Sequence, residues 1–169
     1  MSIDLLIEPI RPIFVKPLLP RIAEVLADLL NVTTVPVLVM ERLDKGQQLP
    51  VVSDQVGVDD APFLLISISG EPETIGLVTG SDHLTVTVSS AGDSLQFALV
   101  AATAIALAQE LGAGVWDDGR VFGDEVHTSP EALLRRLKVT GHSEDYRAAA
   151  ERINWGPAGA RDKNDSEQG

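Results

Sequence analysis

The chain has 169 residues, no cysteine, and a net charge of −12 from 25 acidic and 13 basic side chains. Without cysteine there is no disulfide framework, thiol nucleophile or cysteine metal site. The surplus of carboxylates disfavours bare nucleic acid, whose phosphates are neutralised by Lys and Arg, and an aromatic content of 4% leaves little to stack on bases or sugars. The length suits one domain with a core of its own.

Residues 1–12 lack the basic start and long apolar run of a signal peptide, so a soluble, cytoplasmic protein is expected. Residues 3–8 have strand composition and are closed by Pro9 and Pro12. A helix is expected over 17–30. Leu18, Ile22, Val25, Leu26 and Leu29 recur at helical spacing, with Arg21, Glu24 and Asp28 opposite. Pro17 and Pro20 fit its first turn, and Asn31 fits its C-cap. Residues 36–42 return as a strand. The stretch 44–62 breaks the pattern and reads either as a long functional or mobile loop or as a short edge strand near Val51 and Val52.

Three strands follow at 63–69, 74–79 and 84–89, with Glu71-Pro72 and Gly80-Ser81-Asp82 as turns. Connections this short force an antiparallel meander. The strict alternation of 84–88 suits a sheet with one wet face.

Residues 94–111 form the most apolar helix in the chain, capped by Asp93 and Gly112. Gln96, Thr103 and Glu110, seven apart, make one narrow polar stripe, and protein should cover the rest. The run 97–108 falls short of the ~20 residues that span a bilayer, so no membrane role is expected. Alanines at 98, 101, 102, 104, 106 and 108 leave room for close approach by the chain's own elements or, in a homodimer, by a second copy. Residues 114–122 read as a short hairpin turning at Asp118-Gly119. Ser129 and Pro130 start a helix with Leu133, Leu134 and Leu137 inward and Arg135, Arg136 and Lys138 at its C-terminus. Ser143 is expected to cap a last amphipathic segment with Tyr146, Ala149, Ala150 and Ile153 on one side. Residues 156–169 form a polar tail, expected to be disordered.

The fold class is therefore α+β. It has a mostly antiparallel sheet (meander plus hairpin), a buried Ala-rich helix and two or three amphipathic helices, in one domain over 1–155.

Chemistry is sparse. Asp117, Asp118, Asp124, Glu125 and His127 are the densest polar cluster, and such residues can bind a divalent metal or carry out general acid–base work. Turn and loop roles account for the same residues more simply. His83, His127 and His142 match no zinc spacing. No serine sits in a nucleophile elbow, and Gly112-Ala113-Gly114 follows a helix rather than a strand, the wrong context for a dinucleotide loop. Trp116 and Trp155 are candidate partner anchors, together with the loop carboxylates Asp59 and Asp60. In a chain this poor in aromatics Trp116 reads first as core, while for Trp155 the two readings stand level.

At the Ala-rich helix and the LGAGVWDDGRVFG that follows it, the chain resembles small uncharacterised bacterial α/β proteins, several of them similar to immunity proteins of contact-dependent or secreted toxins. In those an alanine-rich helix also runs into a glycine and an acidic hairpin, and the similarity covers residues 63–125. The low pI, size and helix–strands–helix–hairpin–helix order are also similar to the small acidic chaperones of type III secretion, from which the leading strand and the long helix depart. Both resemblances imply sequestering of a partner protein, and neither carries over a catalytic residue or cofactor. The expectation is a non-catalytic, acidic, cytoplasmic module binding a basic protein. The alternative is a small metal-dependent enzyme using the segment from Asp117 to His127.

Overall fold

The structure, a computed structural model, describes residues 2–8, 13–51, 63–79 and 83–155. Strand β1 (Ser2–Glu8) leads to helix α1 (Leu19–Leu30), then to strands β2 (Leu38–Asp44) and β3 (Gln47–Pro50). The meander β4 (Phe63–Ile68), β5 (Thr74–Thr79) and β6 (Leu84–Ser89) precedes helix α2 (Ser94–Leu111). Strands β7 (Gly114–Trp116) and β8 (His127–Thr128) and helices α3 (Pro130–Leu137) and α4 (Tyr146–Glu151) complete the chain. All eight strands join one sheet in the order β3-β2-β4-β5-β6-β1-β7-β8, antiparallel at every pairing. The expected α+β class is what forms.

Alternation decides which face is covered. Ile3, Leu5 and Ile7 of β1, Leu64, Ile66 and Ile68 of β4, and Leu84, Val86 and Val88 of β6 all belong to the core. Helix α2 lies against β1, β5, β6 and β7 on one side and against α1, α3 and α4 on others, so the helices form a single layer. That placement explains the composition of α2. By length and hydropathy alone it resembles a membrane-crossing helix, but 83% of it is buried within the protein. Its six alanines at 98, 101, 102, 104, 106 and 108 are all buried within one chain, so α2 leaves no alanine surface for a second copy. Thr103 departs from the expected polar stripe: Gln96 is half-buried and Glu110 exposed, whereas Thr103 is 0% exposed because helices and sheet close over it together.

The caps of α2 form as expected. Asp93 accepts a hydrogen bond from the Gln96 amide at 2.9 Å, and the Gln96 side chain accepts one from the Asp93 amide at 3.0 Å. Gly112 takes φ of +62°. Helix α1 ends on Asn31 at φ +54°, and Ser129 caps α3. The cap of α4 is Asp145, not Ser143. The Asp145 carboxylate accepts from the amides of Arg147 and Ala148, while the Ser143 hydroxyl accepts from the Asp145 amide.

Two connections differ from the sequence reading. After β2 the chain reverses through Lys45-Gly46, at φ +49° and +80°, a pair that matches the right-handed twist of a tight hairpin. The edge strand β3 thus lies at 47–50, just ahead of Val51, whose amide donates to the Met40 carbonyl at 3.2 Å. Asp59 and Asp60 lie outside the described residues, as do Val52 and the tail 156–169.

The second difference follows α2. Strand β7 pairs with β8, Val115 opposite Thr128 and Trp116 opposite His127, so ten residues rather than Asp118-Gly119 alone connect them. The cause is Asp117. Its buried carboxylate accepts from the amides of Val121 at 3.2 Å and Phe122 at 2.8 Å, curling the chain and sinking both side chains into the core instead of letting them pair back.

Candidate functional site

One face of the sheet points away from the helices. Alternation puts Ser2, Asp4, Leu6 and Glu8 of β1 there, with Val39, Glu41 and Leu43 of β2. Phe63, Val78, Thr85 and Thr87 continue it across β4, β5 and β6, and Trp116 and His127 close it on β7 and β8. Leu65, Ser67 and Gly76 in its middle are buried. Val39, Leu43 and Trp116 are each more than a third exposed, and Val37 just before β2 reaches 68%. The described strand residues of this face include three carboxylates, Asp4, Glu8 and Glu41, and no Lys or Arg. Asp4 is fixed in place, accepting from the hydroxyls of Thr87 at 2.5 Å and Ser2 at 3.1 Å.

Trp116, expected first as core, is 38% exposed. On β7 the inward position belongs to Val115, and Trp116 points out beside Leu6. Its ring meets the His127 imidazole with centroids 4.4 Å apart and planes at 48°. Gly114 makes room for that pair, since a Cβ there would run into the imidazole.

Trp155 is the reverse case. It is 6% exposed and stands edge-on to Phe97 and Phe122, with centroids 5.8 and 5.5 Å away. Its ring belongs to the core and offers a partner no surface.

The acidic segment does not converge. Asp117 points inward and His127 lies on the open sheet face, while Asp118, Asp124 and Glu125 are exposed. Among the described residues no group of three or more His, Asp or Glu side chains could hold a metal ion. Burial pushes the Asp117 carboxyl above its usual range, an effect opposed by the N–H groups of Phe122 and Val121.

Between this segment and α3 lies a pocket of about 210 Å³. Phe122 and Leu133 form apolar walls, Gly123, Thr128 and Ala132 lie beside them, and Asp117, Asp124, Glu125 and Arg136 supply the charged groups of the lining. Arg136 crosses buried Gly123 so closely that a Cβ there would stand 3.2 Å from its Nε. The sequence reading missed Arg136 as a site residue, because a cation in the last turn of α3 is explained by the helix dipole alone.

A third polar cluster is structural. Arg147 on α4 donates to Asp93 and Glu71 at 2.6 Å each and to Glu73 at 3.0 Å, tying α4 to the N-cap of α2 and to the β4–β5 turn. These three carboxylates drive the Arg147 pKa further up, with the Glu71 hydrogen bond the largest cause.

No family model, curated protein or solved structure matches this chain.

Proposed function

We propose that this protein is a non-catalytic, acidic binding module that recognises a basic partner protein across the open face of its sheet. The observation that carries the reading is the composition of that face: exposed Val39, Leu43 and Trp116 interspersed with Asp4, Glu8 and Glu41, with no Lys or Arg among its described strand residues. Eight strands spaced about 4.8 Å apart make a surface roughly 30 Å wide. An exposed apolar surface rimmed by like charges favours a partner that supplies apolar contacts and the opposite charge. Trp116 is the natural anchor, being large, half open and held against His127. A second copy is a poor occupant, because it would bring the same three carboxylates against themselves. Toxin immunity and secretion chaperoning in the cytoplasm are two forms that such sequestering takes.

The test uses the wild-type chain and a Val39→Lys/Trp116→Ala variant, each immobilised and exposed to extract of the source cells. A Glu24→Lys variant on the helix layer serves as control. The expected result is one basic protein retained by wild type and control and released by the face variant. If wild type retains nothing that the face variant loses, the reading fails.

A further inference from the structure

The pocket between α3 and the connection from β7 to β8 combines two properties. It has apolar walls, Phe122 and Leu133, and it is lined by charges of both signs that do not neutralise one another. Among the described residues, Arg136 makes no hydrogen bond or ion pair, and neither Asp124 nor Glu125 makes one. A guanidinium fork and two carboxylates are therefore free for a ligand.

Size and charge narrow that ligand. A volume of about 210 Å³ is below the roughly 300–1,000 Å³ of sites for drug-sized molecules, which favours a small ligand. A simple anion on Arg136 would face Asp124, Glu125 and Asp117, all three in the lining. A simple cation on the carboxylates would be repelled by Arg136. A small molecule with both charges satisfies both sides. From this we infer that the pocket binds a free α-amino acid with an apolar side chain. The ligand carboxylate lies on the Arg136 fork, the ammonium meets Asp124 and Glu125, and the side chain packs on Phe122 and Leu133. Asp117 also lines the pocket, and each of its carboxylate oxygens accepts an amide hydrogen bond, from Val121 and from Phe122, which holds the loop in shape. This site is separate from the sheet face, and neither depends on the other.

Calorimetric titration of the full chain with L-leucine, glycine, leucinamide and N-acetyl-leucine tests the assignment. Leucine should bind at millimolar concentration or below and glycine more weakly. Leucinamide, which lacks the carboxylate, and N-acetyl-leucine, which lacks the ammonium, should each lose at least tenfold. Arg136→Gln should cost leucine at least tenfold and leave the residual leucinamide binding unchanged, because leucinamide has no carboxylate for the fork to hold. Glu125→Gln should show the converse with N-acetyl-leucine. No heat with leucine at tens of millimolar, or equal binding of leucine and leucinamide, overturns the assignment. The ligand comparison on wild type decides the matter alone if a variant fails to fold.

Discussion

Trp155 stands edge-on to Phe122, with ring centroids 5.5 Å apart and planes at 78°. The contact joins the segment after α4 to the loop that Asp117 curls inward, and Phe97 of α2 packs on the same indole. Edge-to-face pairs of this kind add about 0.5–1.5 kcal/mol to the burial of the rings themselves.

Truncation of Trp155 to Ala should therefore cost about 3–5 kcal/mol in a denaturant melt. Trp155→Phe should cost much less, because the indole N–H has no hydrogen-bond partner to lose. The same variants separate the two fluorophores. Emission from Trp155 in a Trp116→Phe background should resist acrylamide, and emission from Trp116 in a Trp155→Phe background should be readily quenched. Equal quenching would contradict the burial of one and the exposure of the other.

Leu99 and Ile105 face the interior of α2 and are 3% and 0% exposed. Each truncated to Ala should destabilise the chain by about 2–5 kcal/mol, from lost transfer energy and the cavity left behind. Urea melts giving under about 1 kcal/mol for both would mean that α2 is peripheral.

Asp117 makes stability depend on pH in the direction opposite to a salt-bridged carboxylate. Its folded pKa is raised by burial, so its favourable contribution is fully present below the ordinary carboxylate range and is lost as pH rises through the folded value. Asp117→Asn removes that dependence but accepts only one of the two amide hydrogen bonds, a loss of about 1–3 kcal/mol. Melts of both proteins from acid to neutral pH should show the wild-type advantage largest in acid and shrinking upward. An advantage that grows with pH would sink this account.

Arg147 holds three carboxylates from a side chain that is 42% exposed, so solvent screens the cluster. Arg147→Ala should cost about 1 kcal/mol or less. The loss should itself depend on salt, since added ions weaken the repulsion left among Glu71, Glu73 and Asp93. Arg147→Lys should recover only part of it, because an ammonium cannot span three acceptors as the planar fork does. A loss that is the same at low and high salt would point to packing instead.

The helices were legible because their signals are local. Period, Asp93 and Ser129 before the apolar runs, and Gly112 and Asn31 after them place α1, α2 and α3 within a residue or two. The meander was legible from its short turns. What escaped were features set by contacts far apart in the chain. Nothing near residues 2–8 says that they pair with 84–89 and 114–116. The hairpin after α2 misled because Asp118-Gly119 is a sound turn signal, while the deciding group is the neighbouring carboxylate of Asp117, which captures two amides once buried. Trp116 misled because a three-residue strand offers no alternation from which to read its direction. The pocket was invisible because Arg136 comes to share a cavity with Asp124 and Glu125 only when α3 folds back over Gly123.

Strand β1 comes first in the chain, yet its neighbours are β6 and β7, some eighty and more than a hundred residues downstream. A ribosome adding about 5–20 residues per second would leave the strand without either neighbour for on the order of ten seconds. During that interval Ile3, Leu5 and Ile7 have no helix layer to enter, whereas β4, β5 and β6 can zip together as soon as each turn is made. The nascent chain thus resembles a garment whose first panel waits for the middle ones to be sewn before it is joined, and the last panels then hang from it.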